Sequence, residues 1–484
     1  MEEVKTEVKE NIKKDKIPRN VIIAGLIMAL GAFPAMLDST IVNIAVNHLS
    51  QIFNTTFSMV QWVVTAYALA LAVAVPFFGW IIQKVDGKKI FMGAIIVFLL
   101  ASVFSGLSWN IQSLIIFRVM QGFAAGIMMP AVSTLLIQMA KGDQLGRLMS
   151  IISIPTILGP ILGPIIGGLI LQGLSWHWLF FVNIPIGIIA LILMQWKLPK
   201  LAPNNPTSAK LDWIGIASLA LASASLILGI TEVKSANNQI FGTISIIVGA
   251  ILMIIYIVYA FRRKDTALIP LKLFKSKNFS ASFILLFLTG FAVNGPMLLL
   301  PMFLQNIRGL DVITSALWLI PQGIGMLVTR SLAGRYTDKI GARFVAIPCI
   351  IITIIGTLPF VFFNLSTSSW IIWIILFIRG MGVGGYTIAV MSDSYTSLEK
   401  SQVPQASVAT RIIQNIGAAF GSAVLATIVS NYLIGKEGTI TNMTNSYHVG
   451  FVTSLIFMVI GIVPALFLTN KIKKKADILE KTIK

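Results

Sequence analysis

The chain has 484 residues, of which 56% are hydrophobic and only 11% charged, and its mean hydropathy is +0.87. A water-soluble protein carries roughly 25% charged residues, so this composition excludes a string of soluble domains and requires a polytopic membrane protein. The net charge of +19 reads as basic loops beside a membrane; nucleic acid is excluded as a partner, because the Lys and Arg residues lie in short loops and form no stripe with stacking aromatics.

Residues 1–20 are charged and read as a cytoplasmic tail, followed by a retained first span, since no small-residue cleavage site follows a short apolar core. About 20 apolar residues cross a bilayer. The uncharged runs yield fourteen predicted helices: 21–46, 57–82, 90–107, 111–137, 147–171, 178–196, 212–231, 239–261, 279–304, 312–332, 343–363, 369–391, 405–430 and 447–469. Two runs are too long for one crossing, and turn chemistry divides them at Asn47–Ser58 and at Gly173-Leu174-Ser175. An even number of spans puts both termini on one side. The loops on that side hold 31 Lys and Arg residues and the opposite loops hold 3, with Arg118, Arg379 and Arg411 left inside spans. This asymmetry predicts cytoplasmic termini and a multi-pass protein of the cell membrane.

The loop after the second span runs from Gly79 through Lys84, Asp86 and Lys88. The loop after the tenth has Gly334, Asp338, Lys339, Gly341 and Arg343 in a related pattern. Arg118 in the fourth span and Arg379 in the twelfth are each followed by glycine-rich helix. Two halves of equal topology are parallel repeats, as in major facilitator transporters. The predicted fold is all-α: a six-helix bundle over 21–197, an inserted helix pair with flanking cytoplasmic loops over 198–277, a second six-helix bundle over 278–470 and a cytoplasmic tail over 471–484.

Few residues in this chain can carry chemistry. By this assignment Asp38 is the only acidic residue well inside a span. An ionisable group there costs about 2.5–3.5 kcal/mol on insertion scales and is a functional candidate by default. A carboxyl group so placed can hold a proton or a cationic substrate in turn; the alternative is a structural ion pair. Pro34, one turn earlier, frees the carbonyl of Leu30 and bends the helix, or is simply a tolerated membrane proline. Arg118 needs buried partners, and Gln121 lies one turn on. Arg411 with Gln414 lies near Asp393 at the inner ends of the last spans, which reads as a structural gate, with substrate contact as the alternative. Phe33, Met36, Trp62, Tyr67, Met128 and Met129 are candidates to line an apolar cavity, since Met and aromatic surfaces adapt to varied ligands. Cys349 is a lone buried hydrophobe, and the three histidines are too scattered for a metal site.

Several motifs together resemble the major facilitator superfamily, and within it the 14-span drug:proton antiporter branch. They are Leu37-Asp38-Ser39-Thr40 through Ala45, Val60-Gln61-Trp62 through Tyr67, Trp176-His177-Trp178 with Asn183-Ile184-Pro185, and Gly159-Pro160 with Gly163-Pro164 and Gly167-Gly168. The resemblance covers essentially the whole chain. It implies that Arg118 takes part in proton coupling near the first helix. It also implies that the fifth-span glycines form the antiporter motif at the interface between halves. This chain departs from the family's first loop, with Gln83 for Asp, Asp86 for Gly and Gly87 for Arg, and His177 stands where Arg is usual. Whether the first-loop charge latch is weakened or rebuilt around Asp86 stays open.

The expected function is proton-driven export of hydrophobic compounds, cationic ones first, by alternating access. The alternative is a dedicated metabolite or lipid transporter of the same fold. No HExxH, no GxxxxGK[ST] and no paired acids argue for an enzyme. No cofactor is expected beyond the proton gradient, and the expected partners are small-molecule substrates, protons and the bilayer around a monomer.

Overall fold

A computed structural model describes residues 18–139, 144–199, 212–233, 238–263, 267–396, 398–434, 436–437 and 439–470. Residues 1–17 of the expected tail 1–20, the expected tail 471–484 and much of the loop before the inserted pair lie outside the described residues. Among the described residues fourteen helices are long and apolar enough to cross a membrane, and there is no strand.

The first bundle comprises α1 (Arg19–Ile52), α2 (Phe57–Ile81), α3 (Gly87–Gly106), α4 (Ile111–Met139), α5 and α6. α5 has two segments, Leu145–Ile152 and Ile154–Gly173, and α6 is a short turn, Trp178–Phe181, followed by Asn183–Lys197. The inserted pair is α7 (Trp213–Glu232) and α8 (Gln239–Arg263). In the second bundle, α9 runs Lys277–Thr289, a π-turn Gly290–Asn294, then Gly295–Asn306. It continues with α10 (Val312–Trp318 and Ile320–Ile340), α11 (Arg343–Thr357), α12 (Ser369–Thr396), α13 (Val403–Leu433) and α14 (Ile440–Ala465).

The helices start where side chains satisfy otherwise orphaned amides. Asp86 takes the amide of Lys89 at 3.1 Å and Asp212 that of Gly215 at 3.0 Å. Asp311 takes those of Ile313 and Thr314 at 3.0 and 3.1 Å. Helices approach closely where Cβ is absent. α7 and α8 meet through Gly229, Gly242 and Gly249, and α9 crosses α13 where Gly290 faces the backbone of Gly417. α7 packs on α2 and α13, one from each bundle. α8 lies outside it with a long apolar face exposed, including Ile244, Ile251 and Phe261; that is a surface for lipid.

Three sequence expectations change. The second copy of the loop motif is not a loop: Gly334, Asp338 and Lys339 lie within the last turns of α10. Only Gly341 turns the chain, at φ +100°, before Arg343 opens α11. Polar helix ends protruding beyond the apolar run make this stretch look like a loop. Arg330, grouped with that loop in the charge tally, is a buried residue of α10. Asp38 is not the sole buried acid, because α12 continues to Thr396 and encloses Asp393, which is 1% exposed.

Candidate functional site

Asp38, Arg118 and Gln121 come together at the centre of the first bundle, all fully buried. Arg118 donates through Nη1 to Asp38 Oδ2 and to Gln121 Oε1 at 3.0 Å, and through Nε to the carbonyl of Val63 at 3.1 Å. Its guanidinium lies over the Tyr67 ring, 4.2 Å from the centroid. Gln121 Nε2 reaches Asp38 Oδ1 at 3.4 Å and Ser102 Oγ at 2.7 Å. Asn183, at the start of the long segment of α6, donates to Asp38 Oδ1 and to Ser102 Oγ, both at 3.2 Å. Five helices therefore converge on one carboxylate. A buried ion pair persists only when its remaining hydrogen-bonding capacity is met, and these partners meet it.

Arg118 does not depend on Asp38 alone. The Val63 carbonyl, Gln121 and the Tyr67 face hold it from other sides. Asn183, Ser102 and Ser105, which donates to Gln121 Oε1 at 3.1 Å, were not among the sequence candidates. Asn183 was legible as a polar residue in an apolar run, but serines in spans are too common to stand out.

The same α1 segment is clamped to α5. Thr40 Oγ1 donates to the Gly159 carbonyl at 3.0 Å. A Cβ at Gly159 would lie 2.8 Å from the Met36 backbone, and one at Gly163 would land on Thr40. Gly167 faces Ile41. The remaining glycine, Gly168, turns the other way and meets Ile313 of α10. Pro160 and Pro164 lie along this segment. α5 thus holds the acid-bearing helix on one side and the second bundle on the other.

Contacts between bundles gather at the end where Arg19 opens α1. Asp338 accepts the amides of Gly146 and Arg147 at 2.8 and 3.2 Å, and Gly334 packs on the Gly146 backbone. The related contact from the first copy is apolar: Gly79 faces Val408 of α13. Gln83, four residues after Gly79, turns back to the Gly79 carbonyl at 2.8 Å. Asp86 caps its own helix, Lys84 lies over the Trp80 ring, and Lys88 ties α3 to the carbonyls of Gln195 and Leu198. Thr134 and Ser407 share a hydrogen bond at 3.0 Å across the same end.

A cavity of about 250 Å³ opens between α5 and the second bundle. Arg330, Arg411, Gln322, Gln414, Asn294 and Asn415 provide its polar lining, with an apolar remainder from Ile157, Ile161 and Met326. The six apolar candidates do not line it. Tyr67 is spent on Arg118 and on the Ala35 carbonyl, at 2.9 Å. Met128 and Met129 are core, Phe33 and Met36 are only partly buried, and Trp62 is 37% exposed. The expected Asp393–Arg411 pair does not form. Asp393 accepts the Thr469 amide at 3.1 Å, which draws it to the end of α14, while Arg411 faces the cavity. Gln414 Nε2 contacts Met391 Sδ at 3.6 Å.

Two repeated six-helix bundles with an inserted pair, and a cavity of mixed polar and apolar lining at their boundary, are the architecture of a membrane transporter. The profile of the Major Facilitator Superfamily matches residues 28–422, and the chain belongs to that superfamily; its fourteen spans fit the drug:proton antiporter branch. It is 28% identical over 420 residues to "Multidrug resistance protein B homolog" of Mycobacterium tuberculosis, covering 86% of this chain and 77% of that one. It is 26% identical over 436 residues to the MFS-type transporter YhcA of Bacillus subtilis, covering 90% and 81%. Its fold matches the proton:xylose symporter XylE with a TM-score of 0.63 at 14% identity, covering 91% of this chain and 96% of that one.

Proposed function

We propose that this transporter is a proton-driven multidrug exporter of the cell membrane, with the Arg19 end cytoplasmic. The observation that carries the reading is the buried Asp38–Arg118 pair. It lies on the helix that α5 clamps, and α5 is the helix that also meets the second bundle. A proton on Asp38 weakens its hold on Arg118 and relaxes α1 against α5. That shift reaches α10 through Gly168 and Gly146. The names of relatives such as the Mycobacterium tuberculosis protein support drug export, and the excess of basic residues at the Arg19 end supports the orientation.

The protein cycles between openings to either side of the membrane. In the state seen here the cytoplasmic end is held by the Asp338 and Thr134–Ser407 contacts. Everted membrane vesicles acidified inside test the proposal. They are expected to accumulate hydrophobic dyes, to lose them when a protonophore is added, and to fail with Asp38→Asn at unchanged protein level. Dye flux indifferent to the pH difference overturns it. The sequence expectation of cationic cargo draws no support from the cavity, whose lining holds two arginines and no acid.

A further inference from the structure

The two bundles handle buried charge differently. In the first, Arg118 is matched by Asp38. In the second, Arg379 is the counterpart of Arg118, and Asn294 lies 256 residues after Asp38, at the corresponding place in α9. Arg379 is satisfied without a carboxylate, by Gln322 Oε1 at 2.8 Å, the Ala292 carbonyl at 2.8 Å and Thr357 at 3.2 Å. Gln322 in turn lines the cavity, so its carbonyl is already engaged from behind.

Two more arginines face that cavity. Arg330 is 5% exposed; its Nη1 donates to the Ser153 carbonyl at 2.8 Å and contacts Thr156 at 3.4 Å, while its Nε has no partner among the described residues. Arg411 lies on the opposite wall, on α13. Among the described residues neither forms an ion pair. Two carboxylates of this bundle are engaged elsewhere, Asp338 at the start of α5 and Asp393 at Thr469. Charges buried in a membrane protein face its interior or a water-filled cavity and mark substrate and ion pathways. A cavity with two cations, side-chain amides and an apolar remainder is complementary to an apolar body bearing one negative group.

We propose that this cavity is the binding site for amphipathic organic anions, with Arg330 and Arg411 receiving the carboxylate or an equivalent acidic group. The inference deepens the export reading above, since it names the cargo class. A cargo of this sign is also assisted outwards by an interior-negative membrane potential.

Equilibrium dialysis of the purified full-length protein against two probes of one shape and opposite charge, 1-naphthoate and 1-naphthylmethylammonium, tests it without any gradient. The wild type is expected to retain naphthoate at least tenfold more strongly. Arg411→Gln should reduce that preference tenfold or more, with Arg411→Lys keeping most of it; among the described residues Arg411 forms no ion pair whose loss would unfold the bundle. Arg330→Gln should act in the same direction. Equal or better binding of the ammonium, or a preference unmoved by both glutamine variants, overturns the proposal. Competition of bound naphthoate by decanoate or by phosphatidylglycerol tells whether a dissolved acid or a lipid headgroup is the stronger occupant; displacement by neither overturns the assignment to amphipathic anions. A protein that still drives dye out under a pH difference yet prefers the ammonium keeps the export reading and loses this one.

Discussion

Asp338 of α10 accepts the backbone amide of Gly146, the second residue of α5, at 2.8 Å across the boundary between the two bundles. The carboxylate sits on the N-terminus of a helix, where unsatisfied amides and the helix dipole favour negative charge. The amide of Arg147 adds a second bond, and Gly334 brings the two backbones together: a Cβ on it would lie 2.5 Å from the Gly146 carbonyl oxygen. The corresponding position of the first repeat, Gln83, makes no such bridge but bonds its own helix. Among the described residues the charged latch at this end comes from Asp338, and Gln83 supplies no second one.

Asp338→Asn keeps the shape and removes the charge. A carboxylate at a helix start contributes up to about 2 kcal/mol in partly buried geometry, so the closed population at this end is expected to fall by roughly five- to thirtyfold. Spin labels at the exposed positions Lys89 and Lys339 give the readout, on a background whose one cysteine, Cys349, is buried. The variant should show a longer distance between them. An unchanged distance distribution would assign the closure to apolar packing such as Gly79 on Val408.

The Asp38–Arg118 pair separates two roles that single substitutions confuse. Removing one partner of a buried ion pair leaves an uncompensated charge and costs about 3–5 kcal/mol, whereas removing both is often nearly neutral. Asp38→Asn alone is expected to lower thermal stability in detergent and abolish proton-coupled efflux. The double variant Asp38→Asn with Arg118→Gln is expected to regain most of the stability and none of the efflux. Recovery of gradient-driven transport in the double variant would make the pair architectural.

Much of the architecture is legible in the sequence because a bilayer enforces it. Every backbone polar group must be satisfied inside the apolar layer, so hydropathy alone locates fourteen helices, and the missing Cβ atoms at Gly159, Gly163 and Gly167 announce a helix contact. The i, i+3 spacing of Arg118 and Gln121 likewise places both on one face of α4. What the sequence does not carry is which face meets which helix. Arg330 lies among the polar residues of a helix end and reads as loop, yet it is buried against α5. Asn183 stands out as a polar residue in an apolar run, but nothing in the sequence says that it meets Asp38. The aromatic and Met residues that suit a cavity by type are absorbed in packing, and the actual cavity is built from amides and arginines scattered over α9, α10 and α13.

The clamp between α1 and α5 is testable by compensation. Gly163→Ala would push a methyl group onto Thr40 Oγ1 and close to the Ile41 amide. Overpacking of this kind costs about 1–3 kcal/mol, and it also displaces the helix that carries Asp38. Gly163→Ala is expected to lose most efflux, and adding Thr40→Ala should restore part of it, since the hydroxyl is the nearest obstacle. The gain should be incomplete, because Thr40 also donates to the Gly159 carbonyl. Equal loss in single and double variants would show that backbone approach, and not the hydroxyl, sets the tolerance.

Asn183 supplies the sharpest test of the network around the acid. Its Nδ2 donates to Asp38 Oδ1 and to Ser102 Oγ, while its own Oδ1 has no partner among the described residues. A buried acceptor that loses its donor costs about 1–3 kcal/mol, and more when it is charged. Asn183→Leu removes that donor at similar volume, so it is expected to lower thermal stability in detergent and to weaken proton-coupled efflux while dye binding is kept. Asn183→Asp sets a second acid beside the first and is expected to weaken coupled efflux further. Unchanged efflux under a pH difference in both variants would reduce Asn183 to a packing residue and leave Gln121 as the amide partner of the acid.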